Sequence, residues 1–127
     1  MGQHAVLRVQ CQGILAKVVE GAVLATTNTE VVQEIIHVLR RRKLSRQAHS
    51  LAAHILDIFD GMLYVGREDL VLANAMLVQN PKLPVRDAIH ASTMVRAAIG
   101  TIVSTDRDFD TIQNIRRLTP EELLNTI

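Results

Sequence analysis

The chain has 127 residues, of which 48% are apolar and 21% charged, so it suits one globular domain with a real core and not a disordered or fibrous class. Aromatic residues are only 2%, so that core must be built from Leu, Ile, Val, Ala and Met. A net charge of +1 excludes a global nucleic-acid-binding field, and any basic surface has to be local.

Residues 4–20 read as a helix, with Val6, Val9, Gly13, Ala16 and Val19 recurring at threes and fours, and Gly21 ends it. Its Cys11 is the single cysteine, which excludes an intramolecular disulfide and a Cys-based zinc site and leaves a small apolar residue on a helix. Residues 22–27 are predicted as a short strand buried on both faces. Asn28 or Thr29 caps a second helix running to about Lys43, with Val31, Val32, Ile35, Val38 and Leu39 on one side. Ser45 is read as the cap of a third helix, to about Phe59. Asp60-Gly61 is a turn, Met62 to Val65 an apolar strand, and Gly66 closes it. Residues 67–79 are helical, with Glu68 and Asp69 read as helix-start chemistry that suits the positive end of the dipole.

Two prolines, Pro81 and Pro84, make the next stretch a loop, and residues 85–98 form an alanine-rich helix. Thr101, Ile102 and Val103 are a β-branched strand that runs abruptly into Asp106 and Asp108. Arg116-Arg117-Leu118 reads as a short edge strand. Thr119-Pro120-Glu121-Glu122 starts a last helix, with threonine as cap, proline first and glutamate third. Alternating helices and short strands predict an α/β fold with a mainly parallel sheet covered on both faces, in a single domain spanning residues 1–127. No apolar run reaches the ~18 residues of a membrane span. Met1-Gly2-Gln3-His4 opens no export signal, so no membrane association and a cytoplasmic location are expected.

Open α/β sheets place their sites at the carboxyl ends of strands, which directs attention to Asp106 and Asp108. In an extended segment residues two apart point the same way, and two carboxylates so placed repel unless a cation or proton lies between them. An Asx-type turn ending the strand accounts equally well for one of the two, with Phe109 anchoring the loop. Glu34 lies at the border of its helix's apolar face, about 100° from Ile35; a cleft-directed acid and a solvated flank acid both fit. Asp87 sits in a first turn above an apolar stripe, where the dipole favours its ionised form, and a simple first-turn aspartate fits too. Clusters of acids without Cys or His ligands suit Mg²⁺ or Mn²⁺, and such ions serve phosphodiester hydrolysis.

His37 and His90 lie one turn beyond Glu34 and Asp87, where they either contact a site or are surface or satisfied histidines. Arg40, Arg41, Arg42 and Lys43 form the one concentrated basic run. At a helix C-terminus they complement the dipole, and they also suit contact with a phosphate backbone. No glycine-rich phosphate loop follows a strand and no nucleophilic serine elbow is present.

Taken together these motifs resemble the PIN domain (PilT N-terminus) family, in particular its VapC-like toxin ribonucleases. Thr26-Thr27 and Val32-Gln33-Glu34-Ile35 are similar to that family's second strand and glutamate helix. Arg86-Asp87-Ala88-Ile89-His90-Ala91 resembles the helix with a second acid. Ser104-Thr105-Asp106-Arg107-Asp108-Phe109 resembles its signature after the fourth strand. The resemblance covers about residue 5 to Pro120. It implies a three-layer, doubly wound α/β/α fold and a Mg²⁺- or Mn²⁺-dependent ribonuclease. It implies metal-binding carboxylates at Glu34, Asp87 and Asp106, with Asp108 accessory, and RNA held by residues such as Arg41. It further implies neutralisation by an antitoxin protein and a homodimer. One departure stands out. The family's first central strand, which ends in an aspartate ligand, has no counterpart before the first helix: either the start is truncated or misassigned, or the strand is absent, and on the second reading a catalytically degenerate RNA- or protein-binding module is the alternative expectation.

Overall fold

The computed structural model describes residues 3–127 and the side chains from Ala5 onward. In chain order the elements are α1 (Gln3–Glu20), α2 (Thr29–Arg41), α3 (Ser45–Ile58), α4 (Arg67–Gln79), α5 (Val85–Arg96), β1 (Thr101–Val103), β2 (Arg116–Leu118) and α6 (Pro120–Leu124), with a short 3-10 helix at Arg107–Thr111. The chain divides into two compact units. One joins the stretch up to Ala25 with Ile99–Ile127, and the other is Thr26–Ala98.

In the Thr26–Ala98 unit, α2 packs on α3, and α5 packs on α4 and α2. Many of the buried residues there are small. Ala48, Ala88 and Ala91 are fully buried, and Ala52 and Ala73 nearly so. Small side chains let helices approach closely while still excluding water, which suits a chain almost without aromatics. Helix α2 starts where the Asn28 side chain accepts the Val31 N–H. It ends in a Schellman motif, in which Leu44 N–H reaches the Leu39 carbonyl and Lys43 N–H reaches that of Arg40. Lys43 takes the left-handed conformation, φ 62°, in the place where glycine is usual. Ser45 turns out not to cap α3. It is the first helical residue, and Leu44 stands at the cap without a side-chain bond.

The other unit holds a two-stranded parallel sheet, β1 beside β2, with Thr101 opposite Arg116, Ile102 opposite Arg117 and Val103 opposite Leu118. The 3-10 helix lies in the crossover, anchored by buried Phe109. Helix α6 has the expected capping box: the Thr119 hydroxyl accepts the Glu122 N–H, the Glu122 carboxylate accepts the Thr119 N–H, and Pro120 follows the cap. It packs on β2 and on α1, where Gly13 faces Leu124.

The strands expected at 22–27 and 62–65 are corrected. Among the described residues these stretches share only one isolated parallel bridge, Asn28 with Leu63, and Leu24 is fully exposed, not buried on both faces. Their pairing is limited to Leu63 N–H on the Thr27 carbonyl and Thr29 N–H on the Leu63 carbonyl, both 2.9 Å. The ladder stops there for a local reason. Thr29 already belongs to α2, so its hydroxyl, in place of a strand carbonyl, takes the next N–H, that of Val65, at 3.1 Å. The last helical stretch before β1 also ends earlier than residue 98, at Arg96, because Ala98 takes φ 57°.

Candidate functional site

In the Thr26–Ala98 unit the acids sit on α2 and α5. Glu34 Oε1 accepts a hydrogen bond from His90 Nε2 at 2.8 Å, and Glu34 Oε2 lies 3.7 Å from the Arg86 guanidinium. Glu34 is therefore not a solvated flank residue, since its side chain is 25% exposed and tied to α5. Asp87, in the first turn of α5, is 6% exposed. His90 is one of the satisfied histidines that the sequence allows, whereas His37 is exposed.

In the other unit the Asx-type turn expected at Asp106 is present. The Asp106 side chain accepts the Asp108 N–H at 2.9 Å, an Asx turn that caps the 3-10 helix, and its own N–H donates to Ser104 Oγ at 3.0 Å. The segment is thus turned and not extended, yet Asp106 and Asp108 still bring carboxylate oxygens within 4.8 Å of one another. Desolvation, then the Asp106 charge and a hydrogen bond with it, hold the Asp108 carboxyl above its ordinary range. A third acid, Asp110, is occupied by a bidentate pair with Arg117, Nε to Oδ1 at 2.9 Å and Nη2 to Oδ2 at 3.1 Å. That hydrogen bonding pulls the Asp110 carboxyl below its ordinary range. Asp106 and Asp108 are the pair of carboxylates that the turn brings together. Two crowded, all-oxygen donors fit a hard divalent cation, which would relieve their mutual repulsion.

Arg40, Arg41, Arg42 and Lys43 are all exposed at the end of α2. Arg40 and Arg41 border an open hollow of about 510 Å³ with Gln33, Ile36 and His37. A second hollow in the same unit, about 350 Å³, is lined by Met62, Leu63, Tyr64, Thr93, Arg96 and Ala97, with Asp69 at its wall. Asp69 does start α4 as expected, accepting the Gly66 N–H at 2.8 Å, but it is also 1% exposed and paired with Arg96 at 2.9 Å. That pairing had no signal in the sequence, and neither did the contacts from Asn28 to His90 and Thr93, both 3.0 Å. Asn28 could be read as a cap, but not as a donor to residues sixty positions away.

Residues 11–115 match the PIN domain, and the chain belongs to the PIN domain family. Among its relatives, it is 31% identical over 114 residues to VapC ribonuclease Mb1869c of Mycobacterium bovis, covering 87% of this chain and 85% of that one. The same figures hold for Ribonuclease VapC13 of Mycobacterium tuberculosis. Ribonuclease VapC7 of the same organism is 26% identical over 121 residues, covering 94% and 83%. No solved structure matches the chain significantly. The family implies an α/β fold, and the described residues supply a mostly helical version of it with one small parallel sheet. No helix among them is long and apolar enough to cross a membrane.

Proposed function

We propose that the chain is a metal-dependent endoribonuclease that hydrolyses RNA phosphodiester bonds. The carrying observation is membership of the PIN family with relatives named as ribonucleases, together with acids at all three motif positions. Glu34, Asp87 and Asp106 are the metal-binding carboxylates and Asp108 is an accessory. A bound Mg²⁺ or Mn²⁺ supplies activation of the attacking water and neutralises charge developing on the phosphoryl group. Asp106 is held ready by its own turn, and Glu34 by His90. Arg40, Arg41, Arg42 and Lys43 bind the RNA backbone, an assignment supported by their exposure beside one another on a helix end.

The biological setting follows the relatives. The protein is the toxin of a toxin–antitoxin pair, acts in the cytoplasm and is neutralised by an antitoxin protein. It works as a homodimer of single three-layer α/β/α domains. The test is cleavage of RNA in Mn²⁺ by the parent chain and by Asp106→Asn. Because even indirect partners of a metal are worth about 10–100-fold, loss of a direct ligand is expected to cost more than about a hundredfold. Equal cleavage by both chains would overturn the assignment.

A further inference from the structure

The cap of α2 does more than start a helix. Asn28 is 6% exposed, and its Oδ1 accepts the Val31 N–H at 3.1 Å. That bond decides which way the amide faces. Both Nδ2 hydrogens are then directed at Thr93 Oγ1 and His90 Nδ1, each at 3.0 Å. The Thr93 hydroxyl hydrogen is already committed to the His90 carbonyl at 2.8 Å, so its oxygen is free to accept from Asn28. A ring nitrogen facing an amide N–H must be an acceptor. His90 therefore carries its ring hydrogen on Nε2, where it donates to Glu34 Oε1 at 2.8 Å. The opposite tautomer would set N–H against N–H at Asn28 and a lone pair against the carboxylate at Glu34.

We infer that Asn28 and His90 are positioning residues that form a directional relay aiming the Glu34 carboxylate. This rests on the reading of Glu34 as a metal-binding group. A glutamate has three side-chain torsions to immobilise before it can bind anything, and ordering it in advance removes that cost from the binding step. The relay also fixes which oxygen is used. Oε1 is taken by His90, and Oε2 is left as the oxygen that can turn to a cation, with exposed Arg86 beside it. No other residue in the relay could replace Asn28, because the position needs an acceptor for α2 and two donors for α5 at once, and only a carboxamide provides both.

Two measurements on the full chain test this. The first is a long-range proton–nitrogen spectrum of the imidazoles at fixed neutral pH, assigned with His90→Gln. His90 is expected as a single Nε2–H tautomer. In Asn28→Ser, which keeps a cap for Val31 but cannot reach Nδ1, only Glu34 selects the tautomer, and the Nε2–H form is expected to be less fully populated. The second is Mn²⁺ affinity by calorimetry, with helicity checked by circular dichroism. His90→Gln ends its amide where Nε2 lies and should bind within about threefold of the parent, whereas His90→Asn stops short and should lose about tenfold. Equal Mn²⁺ affinity in the two folded variants would overturn the positioning role. So would a parent chain that binds Mn²⁺ while His90 averages its tautomers. A parent chain that binds no Mn²⁺ would overturn the ligand reading of Glu34, and the relay's purpose with it, whatever the tautomer.

Discussion

Acids in the two units are held by different means. In the Thr26–Ala98 unit Glu34 is held by His90, 56 residues away, and Asp69 by Arg96, 27 residues away. In the other unit Asp106 is held by groups two residues to either side, and Asp110 by Arg117, seven residues on. The first kind of contact exists only once helices have packed, so its energy belongs to the cooperative fold. The second closes short loops at small entropic cost and can form as soon as the turn does. A carboxylate set by distant partners loses its aim when helices part. One set by its own turn keeps it.

Breaking a distant pair should therefore cost most. Arg96→Met leaves the Asp69 carboxylate buried without its cation. Because Arg96 is itself half-exposed, we expect about 2–3 kcal/mol, somewhat under the full penalty for splitting a buried pair, read as a lower urea midpoint. Next is the alanine packing of the same unit. Ala91→Leu inserts bulk where no surface is exposed and should cost about 2 kcal/mol by the same assay. A cut in the other unit should be milder. Thr119→Ala removes the hydroxyl that caps the short α6 and should cost about 1 kcal/mol, with hydrogen-exchange protection lost around α6 and kept in α5.

That same cap carries a pH signature. Bonds from the Thr119 N–H and then its hydroxyl side hold the Glu122 carboxyl below its ordinary range. A depressed folded value means the stabilisation is complete above the unfolded glutamate value of about 4.3 and is lost as pH falls through the folded one. Glu122→Ala should flatten this acid limb when urea midpoints are compared at about pH 3 and about pH 6. The smallest effect should have the opposite sign. Lys43→Gly relieves a left-handed lysine and should stabilise by about 0.5–1 kcal/mol while removing one charge from the basic run, so under the proposed function RNA binding should become less salt-dependent as the midpoint rises.

The same division explains what could be read from the sequence. Local features were legible. The Asn28 cap, the Thr119 capping box, the Asp69 helix start and the Phe109 anchor all depend on near neighbours in the chain. The strands expected at 22–27 and 62–65 fall short because short apolar runs say nothing of how far pairing extends. Thr29 leaves the ladder for a helix after one bridge, and no pattern in residues 22–27 announces it. The sequence allows His90 either a site contact or a satisfied ring, and its ring is satisfied by Asn28 and Glu34. Asn28 could not be linked to it, because hydrogen-bond partners sixty residues apart leave no periodic trace.

Tyr64 has a practical consequence of its own. It is the one tyrosine in a chain without tryptophan, and it is largely exposed. It sits between Leu63, bridged to Asn28, and Val65, bonded to Thr29, and it lines the hollow that Thr93 and Arg96 share. The intrinsic ultraviolet emission of the protein above that of phenylalanine therefore comes from one place, beside the start of α2. A quencher titration or an anisotropy measurement at the tyrosine band reads that place alone, with no label attached. Unfolding as a whole must be followed by far-ultraviolet circular dichroism, because a ring already in water changes little when the chain comes apart.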